Sequence, residues 1–244
     1  MRVHQTSAYV LVNRPYSETS WIVEIFSREY GRMALMAKGA RRIKSHLKGV
    51  LQPFQPVLLS WIGRGEVPTL TSAEIDLSEY SFLHNELQGD GLVCGFYCNE
   101  LLVKLLHRHD PHSTLFDCYH ATMMGLNSAQ ENDNLANTLR GFEQALMRET
   151  GYEVSFAFES DGKTAIDEGG FYRFQAGQGF VRLANMQNKA VSGRAIHSML
   201  SDKQHQYSHD EIAQGKYLMR EILSHIMGHH EIVSRGLFFP KTKT

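Results

Sequence analysis

The chain predicts an α+β protein, with a small N-terminal five-stranded β-barrel followed by a mostly α-helical domain that carries a small irregular insert. Two changes of pattern carry this reading. Short β-branched and aromatic runs separated by turn residues fill about the first 75 positions, and from about residue 80 apolar residues recur at three- and four-residue spacing. The length of 244 residues suits two modest domains, each able to bury its own core. The expected division is 1–80 and 81–244, with the insert at about 152–190.

Residues 8–13 (AYVLVN), 20–27 (SWIVEIFS) and 32–37 (RMALMA) read as an antiparallel meander, with turns at Arg14-Pro15-Tyr16-Ser17 and Tyr30-Gly31. Beyond a basic loop, residues 56–62 (PVLLSWI) and 67–75 (VPTLTSAEI) flank Gly63-Arg64-Gly65, which reads as a hairpin turn. Five strands in so short a span suggest the oligonucleotide-binding (OB) barrel. Residues 89–109 then place Leu92, Phe96, Cys98, Leu101, Leu102, Leu105 and Leu106 at helical spacing. Residues 114–126 and 134–150 do the same, with Gly151 as a helix stop. Glycine-rich, strand-like pieces (GGFYRF, GQGFVRL) interrupt the pattern between 151 and 190, and helical periodicity returns at 192–201 and 209–228.

Composition excludes several classes. With 42% hydrophobic residues, 21% charged residues and six prolines the chain reads as globular. No apolar run approaches the ~20 residues of a membrane span, and MRVHQTSAYVLVNR lacks a signal-peptide layout, so the expected place is the cytoplasm and no membrane partner is expected. Cys94, Cys98 and Cys118 are too few for a disulfide scaffold and read as core residues.

The net charge of −1 offers no argument for a nucleic-acid partner, but the charges are unevenly placed. Between residues 28 and 48, Arg28, Arg32, Lys38, Arg41, Arg42, Lys44 and Lys48 face one acid, Glu29. From 49 to 100 the only lysine or arginine is Arg64, against seven acids. The segment Lys38-Gly39-Ala40-Arg41-Arg42-Ile43-Lys44, followed by His46 and Lys48, combines a glycine that permits close backbone approach with cations that neutralise phosphates. Candidate DNA contacts are therefore Arg32, Lys38, Arg41, Arg42, Lys44 and Lys48, against the plainer reading of a solvated loop. Tyr9, Tyr16, Trp21, Phe26, Tyr30, Phe54 and Trp61 could stack on unpaired bases, although most must be core.

Other clusters read as structural. His107-Arg108-His109-Asp110-Pro111-His112 and His229-His230-Glu231 hold metal-ligand types, yet Pro111 stops a helix there and cations at a helix C-terminus are favoured by its dipole. Asp161-Gly162-Lys163-Thr164 lacks the first glycine of a phosphate loop, since Ala157 stands in its place. No nucleophile elbow, C-x-x-C or cofactor motif is present, and neither a metal nor a cofactor is expected. On one predicted helix Arg140 and Arg148 flank Phe142 and Leu146, an arrangement that suits either an acidic, hydrophobic peptide tail or an ordinary core helix with a charged rim.

Several stretches together resemble the RecO family of bacterial DNA repair proteins. They are the S-E-T-S turn (Ser17 to Ser20), the G-R-x-x-x-x-A-K-G-A-R stretch (Gly31 to Arg41), LKGVLQPF (47–54), FYCNELLVKLL (96–106) and LRGFEQALMRETGY (139–152). The resemblance runs from about residue 8 to the SRGLF at 234–238 and is weakest between 155 and 210. It implies an N-terminal OB barrel and a helical C-terminal domain, binding to single- and double-stranded DNA, and annealing of strands coated by single-stranded DNA-binding protein. It also implies cooperation with RecR in loading RecA, and no turnover chemistry. DNA contact carries over to Lys38, Arg41, Arg42, Lys44 and Lys48, and contact with the acidic tail of single-stranded DNA-binding protein to the region of Arg140 and Phe142. Some members carry a four-cysteine zinc module after the G-Y motif, whereas residues 151–244 here hold no cysteine; Phe156, Phe158, Phe171, Tyr172 and Phe174 are the material available to hold that segment. The alternatives are an RNA- or protein-binding barrel, and a metal-dependent nuclease or phosphatase built on His107 to His112.

Overall fold

The structure, a computed structural model, describes residues 1–80, 87–128, 132–200, 207–228 and 232–237. By compactness the chain divides into Met1–Leu146 with Ile232–Thr244, and Met147–Glu231. The change from strands to helices still falls near residue 80, inside the first unit.

Five strands close a barrel in the order β1-β2-β3-β5-β4: β1 Arg2–Tyr16, β2 Ser20–Ser27, β3 Gly31–Ala37, β4 Pro56–Ile62 and β5 Thr69–Ile75. The barrel closes where Met36 of β3 meets Thr69 of β5, the one parallel pairing between its five strands. This is the expected OB-type barrel with a helical region after it. Strand β1 is longer than its apolar run because it serves two neighbours, pairing with β4 from Arg2 to Tyr9 and with β2 from Ala8 to Tyr16. Arg14, Pro15 and Tyr16 therefore belong to the strand, not to a turn, and the chain reverses at residues 17–19. Proline is tolerated at 15 because β1 has already left β4 and needs no donor on that side.

Alternate residues Val23 and Ile25, Met33 and Leu35, and Val57, Leu59 and Trp61 fill the interior. The short helix α1 (Leu47–Val50) and Leu51 pack against the same core. The opposite face of β1 and β2 is also buried, because α3 (Gly89–Leu105) and α4 (Ser113–Ser128) lie near it. Tyr9 and Phe26 meet Phe116 at ring-centroid distances of 5.6 and 5.5 Å, and Tyr9 meets Tyr119 edge-on at 5.0 Å. Strands buried on both faces read as continuous apolar runs, which is the pattern of SWIVEIFS and RMALMA.

A bulge between Val10 and Val12 takes the Leu11 carbonyl out of the ladder. Asn99 of α3 donates to that carbonyl at 2.9 Å, while its own side-chain oxygen accepts from Tyr119 at 2.5 Å. Helix α3 stops four residues before the expected position 109, because the segment after it leaves the helix and lies along β3. The His109 amide donates to the Arg32 carbonyl at 2.9 Å. At this approach Gly31 has φ +66°, and a Cβ there would stand 2.0 Å from the Asp110 carbonyl oxygen. Helices α2 (Leu77–Tyr80) and α5 (Asn132–Glu149) complete the helical set, and a 3-10 turn at Val233–Leu237 returns to α3. There the Glu100 carboxylate accepts from the amides of Val233 and Ser234 at 2.9 and 2.8 Å.

In the second unit the expected irregular insert contains a three-stranded antiparallel sheet, β7-β6-β8, made of β6 Phe171–Gln175, β7 Gly179–Leu183 and β8 Val191–Ser192. Gly177 and Gly179 make the β6–β7 turn with positive φ. The expected helix at 192–201 is shorter, α6 at Gly193–His197, because Val191 pairs with Tyr172 as a strand and Ser192 caps the helix by accepting from the Ala195 amide. Helix α7 (His209–Ile226) starts at a capping box of Ser208 and Glu211. Phe156, Tyr172 and Phe180 are buried, but Phe158 is exposed. Polar clips replace some of the packing that the sequence had to supply. The Asp161 carboxylate accepts from the amides of Lys163 and Thr164, and Asp167 pairs with Arg182 at 2.7 Å. The residues that look like the end of a phosphate loop are thus a side-chain-closed turn.

Candidate nucleic-acid interface

Between β3 and α1 the chain runs from Lys38 to His46 without regular structure, yet it is tethered throughout. Gly39 takes φ +71°, and Ala40 then drops into the barrel core. The Arg41 amide donates to the Thr19 carbonyl at 2.9 Å, and its guanidinium donates to the Ser17 carbonyl at 2.6 Å. The S-E-T-S turn and the K-G-A-R segment are therefore one structure. Further turns link the Arg42 amide to the Gly39 carbonyl and the Ser45 amide to the Arg42 carbonyl, each at 3.1 Å. Leu47 returns to the core.

With both ends anchored, the loop presents Lys38, Arg41, Arg42 and Lys44 to solvent, with Lys48 half-buried in α1. Among the described residues no ion pair engages any of these five. Cations spaced by a few residues on one short loop lie within a screening length of one another, so their potentials add and favour a polyanion.

Arg32 does not join them. It lies inside the first unit, its side chain 13% exposed, paired with Glu24 at 3.1 Å and donating to the Leu106 carbonyl at 3.0 Å at the end of α3. Burial lowers its pKa and Glu24 opposes that shift. Arg108 pairs with the same Glu24 carboxylate. A guanidinium held by a buried acid and a helix terminus is structural, so Arg32 is withdrawn from the candidate contacts. Arg28 is likewise engaged, in a bidentate pair with Asp117 at 2.8 and 3.0 Å; hydrogen bonding to Arg28 holds the Asp117 carboxyl below its ordinary range.

The aromatic candidates thin out for the same reason. Tyr9 and Phe26 face α4, Trp61 lies in the barrel against Tyr30 at 5.1 Å, and Phe54 packs edge-on to Phe96 at 5.0 Å. Trp21 is partly buried against the core. Tyr16, 51% exposed on the strand leading into the turn that Arg41 grips, is open to a base.

The proposed tail contact is corrected. Phe142 is 0% exposed and packs on Tyr119 at 6.1 Å, so it offers no surface to a peptide. Arg140 pairs with Glu143, a buried carboxylate that also accepts from the Tyr97 hydroxyl. The core-helix reading fits this stretch.

The His107–His112 cluster is spent on the approach to β3. His109 reaches Glu66 at 4.0 Å and His112 reaches Asp110 at 3.4 Å. No three His, Cys, Asp or Glu side chains converge on one point among the described residues, and His229-His230-Glu231 lies outside them. Glu24 and Asn99 were missed by sequence reasoning. A lone acid within SWIVEIFS was a signal for Glu24, since a charge in a doubly buried strand needs a cation. Asn99 gave no comparable signal.

Comparisons with known proteins agree along the length of the chain. The family model described as recombination protein O N terminal matches residues 1–77, and the one described as recombination protein O C terminal matches residues 87–235. The DNA repair protein RecO of Thiobacillus denitrificans is 37% identical, over 97% of this chain and 91% of the relative. That of Nitrosococcus oceani is 39% identical, over 97% and 93%. That of Nitrosospira multiformis is 39% identical, over 94% and 92%.

Proposed function

The chain belongs to the RecO family of DNA repair proteins, with a role in DNA repair and recombination, and from that premise we propose that it is a non-enzymatic mediator that anneals DNA strands. Residues 1–80 form the DNA-binding module and residues 81–244 the helical partner domain. DNA contact falls on Lys38, Arg41, Arg42, Lys44 and Lys48. The observation that carries this reading is the tethered loop between Ala40 and Leu47, whose cations have no acid partner among the described residues.

The mechanism is charge neutralisation. Two complementary strands repel each other through their phosphates, and a surface that displaces counterions from both offsets that repulsion while remaining blind to sequence. Single- and double-stranded DNA are both substrates for such a surface. By family, the partners are RecR, with RecA loading as the outcome, and the acidic tail of single-stranded DNA-binding protein. That tail docks on the helical domain at a surface other than Phe142. No described helix is long and apolar enough to cross a membrane, and the cytoplasm is the proposed place of action.

The test is annealing of two complementary oligonucleotides coated with single-stranded DNA-binding protein, by wild type and by Arg41→Glu/Arg42→Glu/Lys44→Glu, each shown to be folded. Wild type should anneal, with a rate that falls steeply from low to physiological salt, and the triple variant should not. Salt-independent annealing by the wild type, or full activity in the triple variant, would refute the charge mechanism.

A further inference from the structure

Ile43 stands at the middle of the cationic loop and is 94% exposed, the most exposed of the large hydrophobic side chains described; Val233 at 75% and Leu77 at 74% come next. Its neighbours in sequence show that burial was within reach. Ala40, three residues before it, is fully buried in the barrel core, and Leu47, four residues after, packs against that core. Successive backbone turns hold the chain between these two anchors, from the Arg42 amide to the Gly39 carbonyl, the Ser45 amide to the Arg42 carbonyl, and the Lys48 amide to the Ser45 carbonyl at 3.3 Å. The isoleucine is thus held clear of the barrel by a defined backbone.

Arg41, Arg42 and Lys44 surround it in sequence and are themselves exposed. A partner for this apolar tip must therefore be anionic at its rim and apolar at its centre. A nucleic-acid strand has that arrangement, with charged phosphates flanking the flat, weakly hydrated faces of the bases. Aliphatic side chains at the tips of basic loops can enter base steps and part neighbouring bases while cations hold the backbone on either side. A β-branched side chain has few rotamers to lose on insertion.

We propose that Ile43 is a wedge that inserts at a base step of bound single-stranded DNA and unstacks it. The inference rests on the reading of the 38–48 loop as the DNA contact and adds a specific role within it. Cations hold the backbone, and the wedge breaks intrastrand stacking so that Watson–Crick edges face an incoming strand. Stacked purine runs gain most, because they resist pairing most while stacked.

The experiment uses the full chain and a single strand carrying one 2-aminopurine between adenines, a base whose fluorescence is quenched by stacking. Wild type, Ile43→Leu, Ile43→Ser and Arg41→Glu/Arg42→Glu/Lys44→Glu are compared for fluorescence at saturation and for affinity across a salt series, each with a wild-type melting temperature. Wild type should raise the fluorescence, and Ile43→Leu should retain most of the rise. Ile43→Ser should lose it, with affinity down about fivefold and an unchanged salt slope, since no phosphate contact is removed. A fluorescence rise in Ile43→Ser equal to that of wild type, with the triple variant impaired, would overturn the wedge alone. Wild-type affinity and salt slope in the triple variant would strike the loop reading itself, and the wedge with it.

Discussion

Arg32 and Arg42 belong to one basic block, yet they end in opposite circumstances. Arg32 lies on the helix-facing side of the barrel, where Glu24, Arg108 and the end of α3 meet. Arg42 stands on the rim loop, where the Lys38–Lys48 cations find no acid among the described residues. The aromatics divide along the same line, with Tyr9 and Phe26 locked between β-strands and α4 and Tyr16 left open. The lesson is that a residue type common in DNA-binding surfaces carries that meaning only where the fold has not already supplied its partner.

The comparison can be broken most severely at Glu24. If the helix-facing side is structural, Glu24→Ala leaves Arg32 buried without its acid and should cost about 3 kcal/mol in chemical unfolding. DNA affinity, measured where the variant is folded, should stay near wild type. A stable variant with impaired DNA binding would show that the two regions are not separate.

Asn99→Leu tests the same side through a neutral group. It strands the Leu11 carbonyl and the Tyr119 hydroxyl in the interior, and about 2 kcal/mol of stability should be lost. Tyr119→Phe alone should cost less, because Asn99 keeps its bond to Leu11.

On the rim the signs reverse. Arg42→Ala should leave the melting temperature unchanged and weaken DNA binding up to about tenfold at low salt, reducing the slope of log affinity against log salt by about 1. Arg32→Ala should do the opposite, lowering stability with little change in that slope.

The smallest expected effect concerns Glu100, which ties Val233 and Ser234 to α3 on the structural side. Burial pushes its carboxyl pKa up, but Lys104 and the groups of Ser234 and Val233 outweigh that and hold it below the ordinary value. A carboxylate with a depressed folded pKa stabilises the fold above its unfolded pKa of about 4.3 and loses that contribution as pH falls through the folded value. Protection of the Val233 and Ser234 amides from hydrogen exchange, corrected for intrinsic rates, should therefore hold at pH 7 and decline in acid as the Glu100 carboxylate takes up its proton. Glu100→Gln should show reduced protection already at pH 7.

Much of the fold was legible because its signals are local. The five barrel strands were legible in number and order, although β1 reaches six residues further toward the N-terminus than its apolar run, and most of the turn glycines fell where positive φ was required. Pro15 misled because a turn signal and the last strand residues of an edge read alike, and only the loss of the β4 partner distinguishes them. The segment at 151–190 shows little strand period because β6 and β7 are five residues each around a glycine turn, and their third partner, β8 at Val191–Ser192, is only two residues long.

The sequence by itself determined the order of the five barrel strands and of the long helices, the exclusion of a membrane-spanning helix among the described residues, the position of the basic loop and the family, since each depends on residue types at short spacing. Tertiary structure decided which cations are free. Arg28 and Arg32 were separated from Arg41 and Arg42 by Asp117, 89 residues from Arg28, and by Glu24 on the neighbouring strand. It also sent Phe142 inward and left Ile43 in solvent. Electrostatic pairing and burial are properties of positions in space, and those positions are settled only when chain segments distant in sequence come together.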